Sequence, residues 1–100
     1  MAAQKFHFMY SKQEERDMID TYEHMHEQYP NVICLFRVGD FYDVYREDAE
    51  KVSNILNITL TQRDVNGTRM YMSGFPFHAL DTYLPKLVRA GLRVALIDGE

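Results

Sequence analysis

The chain has 100 residues, 46% of them apolar and 13% aromatic, with 11 basic and 15 acidic side chains for a formal net charge of −4. That length is one domain with a real but modest core, and the apolar content excludes a disordered tail. No stretch approaches the roughly 20 apolar residues of a membrane helix, the polar N-terminus is not a secretory leader, and the single Cys34 excludes an internal disulfide and points to a reducing cytoplasm.

Residues 1–10 read as a polar and aromatic lead, and 11–98 as the folded module. Ser11, Lys12, Gln13 and Glu14 form a capping box that opens a first helix, whose apolar stripe is Met18, Tyr22, Met25 and Tyr29 and which Pro30 stops. Val32–Val38 is expected as a central strand, apolar on both faces except for Arg37. Gly39 and Asp40 then turn the chain into a strand Phe41–Tyr45. Period-2 alternation puts Phe41, Asp43 and Tyr45 on one face of it, Tyr42 and Val44 on the other. Glu47, Asp48 and Glu50 suit the first turn of a second helix that turns Ala49, Val52, Ser53 and Leu56 to one side.

Residues 58–63 and 69–73 read as two strands of a hairpin, with Asn66 and Gly67 supplying the positive-φ turn. Ser73, Gly74, Phe75 and Pro76 lead to a third helix with Leu80, Tyr83, Leu84, Leu87 and Val88 at helical spacing and Gly91 as its C-terminal cap. Pro85 falls inside that pattern and predicts a kink, or two short helices meeting there. A last strand covers 92–97. The expected fold is α/β of the α+β kind, a mixed sheet of about five strands flanked by three helices, forming a domain of a longer polypeptide.

The run GDFYDVY, followed by REDAEKVSNILNITLTQR and then MYMSGFPFHALDTYLPKLVRAGLRVAL, resembles the N-terminal, mismatch-recognition domain of the MutS family over nearly the whole chain. The resemblance implies the same fold, and double-stranded DNA, including mismatched DNA, as the partner. It also implies that other domains of a longer parent protein act with this one. The family's equivalent of Phe41 stacks into a mismatch from the minor groove, and a glutamate two residues on hydrogen-bonds the mispaired base. Here that second position holds Asp43, whose reach is shorter by about 1.3 Å.

Read from the residues alone, Phe41 is either a core aromatic or a wedge, and Asp43 either a solvated carboxylate or a base acceptor. Arg63 and Arg69 flank the hairpin turn, where they could reach phosphates or simply be exposed arginines. Gly74 either lets backbone approach a groove or holds a positive-φ turn. The acidic balance predicts weak DNA binding by the isolated chain, although residues 1–57 hold 6 basic and 11 acidic side chains while 58–100 hold 5 and 4. Retention of the fold as a protein-interaction or structural domain is the rival reading. A third reading, a metal-dependent nuclease on Asp40, Asp43, Glu47 and Glu50, is disfavoured because Asp40 and Asp43 fall on opposite faces of a continuous strand and no lysine stands in a strand near them. His24 and His26 diverge on their helix and there is no cysteine pair, so no zinc site is expected. No GxxxxGK loop occurs, and neither enzymatic activity nor a cofactor is expected.

Overall fold

The computed structural model describes residues 12–98; Ser11, and with it the capping box, lies outside them, as do the lead residues 1–10. Helix α1 (Lys12–Gln28) is followed by strands β1 (Val32–Val38) and β2 (Phe41–Tyr45), helix α2 (Arg46–Leu56) and strands β3 (Thr61–Val65) and β4 (Thr68–Pro76). A short 3-10 turn (Phe77–Ala79) then leads into helix α3 (Leu80–Arg89) and strand β5 (Arg93–Asp98). The strands lie in the order β3-β4-β2-β1-β5. Only the β1–β5 pair is parallel, so the sheet is mixed.

The two short-range pairings follow from turn chemistry. Val38 pairs with Phe41 across Gly39 and Asp40, and Val65 pairs with Thr68 across Asn66 (φ 52) and Gly67 (φ 82). Two positive-φ residues make a hairpin loop complete in two positions, which is why Asp64, Val65 and Thr68, expected in the loop, belong to the ladder instead. Residues 58–60, expected to begin β3, precede it without strand structure. Strand β4 also runs on to Pro76, because Gly74 and Pro76 pair with Asp43 and Phe41 of β2.

Alternation along the strands divides the interior into two halves. On one side of the sheet, Ile33, Leu35, Tyr42, Val44 and Phe75 pack under α2 and α3 with Ala49, Val52, Leu56 and Leu87. On the other, Cys34, Phe36, Tyr45, Val65, Met70 and Met72 pack under α1 through Tyr22, with Met18, Ile19 and Met25 at the margin. Tyr29, expected in the α1 stripe, lies beyond the helix end and is exposed. The expected face of α2 is the buried one, joined by Asp48.

Helix α3 runs unbroken through Pro85 in place of the two short helices considered, and a 3-10 turn precedes it. Its C-terminus is closed by Gly91 (φ +89): the Gly91 amide donates to the Val88 carbonyl at 3.0 Å and the Leu92 amide to the Leu87 carbonyl at 3.2 Å. These two bonds satisfy carbonyls that a helix end leaves open, and the backbone angle they require suits a residue without Cβ. Among the described residues no helix is long and apolar enough to cross a membrane.

Candidate nucleic-acid interface

Phe41 opens β2 beside the Gly39–Asp40 turn and is half-buried, flanked across the sheet by Val38 and Pro76. Asp43 follows one strand step behind it on the same face, between Phe36 and Gly74. The shared face is as the alternation requires. The depth differs from a solvated carboxylate, for Asp43 is only 1% exposed.

Burial raises the Asp43 carboxyl to about 7, against the opposing pull of the Tyr45 hydroxyl and the Arg63 charge. Tyr45 Oη donates to Asp43 Oδ2 at 3.3 Å, and Arg63 Nη1 donates to Tyr45 Oη at 3.3 Å. Arg63 Nη2 lies 3.5 Å from Glu15 Oε2, and Glu15 Oε1 accepts the Asn66 amide at 2.8 Å. A polar chain therefore runs beneath α1 from Asp43 to the β3–β4 turn. Glu15 is buried where it closes that chain.

Arg63 and Arg69 are not brought together. Arg63 stands opposite Met70, on the α1 side of the hairpin, whereas Arg69 stands opposite Asp64 on the other side. Arg69 is exposed, with its guanidinium 3.4 Å from Asp64 and 3.3 Å from Gln62. Gly74 has no positive φ, so the tight-turn alternative does not describe it. A Cβ there would come within 2.9 Å of the Tyr42 carbonyl oxygen and 3.1 Å of Asp43 Oδ1. The glycine makes room for the neighbouring strand and its carboxylate.

One residue at this rim escaped the reading from sequence. The Arg37 guanidinium lies over the Phe77 ring, 4.1 Å from its centroid, and Arg37 Nε donates to the Gly39 carbonyl. The Phe77 amide donates to the Asp40 carbonyl at 2.8 Å, so the 3-10 turn is tied to the β1–β2 turn. An exposed aromatic, a guanidinium and the half-buried Phe41 thus share one end of the sheet. The signal was present, since Arg37 is the one charged residue in VICLFRV.

Asp40, Asp43, Glu47 and Glu50 form no ligand cluster among the described residues; the group that does converge is His26, Cys34 and Asp48. Neither helical spacing nor a cysteine pair announces it, because its members come from three separate elements.

A five-stranded mixed sheet with three helices defines a small α+β domain. A family model for MutS domain I matches residues 16–100, and the chain belongs to that family. The DNA mismatch repair protein MutS of Christiangramia forsetii is 48% identical over 98 residues, covering 98% of this chain and 11% of that protein. Those of Porphyromonas gingivalis and Cytophaga hutchinsonii are 54% identical over 86 residues and 59% over 73, covering 84% and 71% of this chain and 10% and 8% of theirs. The chain spans about a tenth of the length of these relatives.

Proposed function

We propose that this chain is a non-catalytic, double-stranded DNA-binding module that reads mismatches within a longer protein, with Phe41 as the minor-groove wedge. The observation that carries the reading is the position of Phe41, half-buried at the rim of the sheet beside the β1–β2 turn, in a chain of the MutS domain I family. A ring at a rim can leave its pocket for a base stack at modest cost, and a mismatch lowers the cost of opening that stack. Asp43, one strand step behind, meets a base edge through the space that the ring vacates. Arg69 is the exposed candidate for a phosphate contact, while Arg63 would reach a phosphate only by exchanging its Glu15 partner. Gly74 serves this interface by accommodating Asp43. The small relative span of the chain supports its working with other domains of a parent protein.

A second reading, a protein-interaction or structural domain that keeps the fold without reading mismatches, is favoured by the burial of Asp43 and the engagement of Arg63. The two separate on the affinity of the chain and of Phe41→Ala for mismatched and matched duplexes. We expect weak binding overall, in the range of about 10⁻⁴ to 10⁻⁶ M, with a preference for the mismatch that Phe41→Ala abolishes while the fold persists. Equal affinity for both duplexes in the parent, or collapse of the fold in the variant, would favour the interaction domain.

A further inference from the structure

His26 on α1, Cys34 on β1 and Asp48 on α2 meet where the N-terminal turn of α2 passes beneath α1. Their donor atoms all lie within 4.8 Å of one another. Cys34 and Asp48 are buried, and the His26 side chain is 29% exposed, which leaves an approach from its side. The hydrogen bonds around the cluster restrict its protonation. His26 Nδ1 lies 2.8 Å from the Tyr22 carbonyl oxygen, which can only accept, so Nδ1 carries a hydrogen. In a neutral imidazole Nε2 then holds a lone pair, and it faces Asp48 Oδ1 at 2.8 Å. Two acceptors at that distance need something positive between or beside them, either a proton or a metal cation.

We propose that His26 Nε2, Cys34 Sγ and an Asp48 carboxylate oxygen form a binding site for a divalent transition-metal ion of the zinc class, with water in the fourth position. The donor set is one thiolate, one imidazole and one carboxylate, the combination that borderline-soft Zn²⁺ takes, whereas Mg²⁺ and Ca²⁺ take oxygen alone. Bonds of about 2.0–2.3 Å in a tetrahedron place the donors about 3.5 Å apart, so the His26–Asp48 pair at 2.8 Å must open to admit the ion, a movement that the partly exposed His26 can supply. The surrounding contacts suit such a site. A backbone carbonyl orients the imidazole through Nδ1, Asp48 Oδ2 accepts the Cys34 amide at 2.9 Å, and the Tyr22 ring stacks on His26 with centroids 4.0 Å apart.

Cys34 and Asp48 are both buried, so two anions side by side are costly in this place without a cation to offset them. Binding expels the thiol proton, together with the proton held between Nε2 and Oδ1, so affinity strengthens as pH rises. The proposal is independent of DNA binding, and either can fail alone.

The test is titration of the 100-residue chain with Co²⁺ under reducing, mildly alkaline conditions, followed by Zn²⁺. We expect one equivalent of Co²⁺ to give a thiolate-to-cobalt charge-transfer band in the near ultraviolet that Zn²⁺ removes, and Zn²⁺ but not Mg²⁺ to raise the Tm. Cys34→Ala should abolish the band, and His26→Gln should weaken Zn²⁺ binding at least tenfold and cancel the rise in Tm. His24→Gln should change neither. If Cys34→Ala does not fold, His26→Gln decides the matter, because that side chain is partly exposed. Absence of a thiolate band at one equivalent, or Zn²⁺ affinity in His26→Gln equal to that of the parent, would overturn the proposal.

Discussion

The two sides of the sheet are built from different chemistry. Beneath α2 and α3 the interior is aliphatic and aromatic, with Ile33, Leu35, Val44, Ala49, Val52 and Leu87 fully enclosed. Beneath α1, the core of Cys34, Phe36, Met70 and Met72 is bordered by Asp43, Glu15, Arg63, His26 and Asp48, each engaged by named partners. An apolar interior gains from each methylene it removes from water, whereas a buried carboxylate must recover its desolvation cost from every bond it makes. The α2/α3 side therefore carries stability. The α1 side holds stored charge, and Phe41 and Asp43 of the candidate DNA interface and the proposed metal site lie there.

Three substitutions probe that contrast, beginning with the largest effect. Leu35 is fully buried between β1 and the α2/α3 layer, so Leu35→Ala should cost about 2–5 kcal/mol through lost transfer and the cavity left behind. Urea denaturation measures it, and a cost under about 1 kcal/mol would show that this layer is not the main source of stability.

The second turns on the charge of Asp43. Its unfolded carboxyl titrates at 3.8 and its folded carboxyl at about 7, so between those values the folded state holds the extra proton. Stability from this group is greatest in acid, declines as pH rises toward 7, and is level above it. Asp43→Asn should flatten the decline and exceed the parent in stability at pH about 8 by roughly 2–4 kcal/mol, at 1.36 kcal/mol per unit with allowance for relaxation. Asp48, whose carboxyl burial also raises, contributes a residual slope of the same sign. Unfolding curves at pH about 5 and about 8 decide it. A parent equally stable at both would remove stored charge from the account of the α1 side.

The smallest effect belongs to Gly74→Ala. The added Cβ meets the Tyr42 carbonyl at 2.9 Å, a backbone atom that cannot swing away, and a loss of about 1–3 kcal/mol is expected in thermal unfolding. An unchanged Tm would mean that β2 and β4 can part at this register, and that Asp43 is less confined than its burial indicates.

Much of this architecture was legible in the chain. Asn66 and Gly67 announce their hairpin and Gly91 its helix end, because both motifs depend on backbone angles that few residues tolerate. The 3.6-residue stripe of α2 identifies its buried face, and alternation puts Phe41 and Asp43 on one side of β2. Such features repeat with the local geometry of the backbone, so neighbouring residues suffice to specify them. The extension of β4 through Gly74 to Pro76 was not visible, since it depends on pairing with β2 rather than on its own residues.

The side-chain environments required the tertiary structure. Whether Asp43 is solvated or buried depends on Tyr45, Arg63 and the helix above them, and Glu15 meets the amide of Asn66 across 51 positions. His26, Cys34 and Asp48 belong to a helix, a strand and another helix, separated by 8 and 14 residues, and no periodicity links them. Local sequence determined which elements form and which faces they bury, because those follow from backbone angles and the removal of apolar surface from water. Only the folded chain decided which charges lie buried and which polar groups converge, because a charge's solvation and its partners are set by whatever the rest of the molecule brings against it.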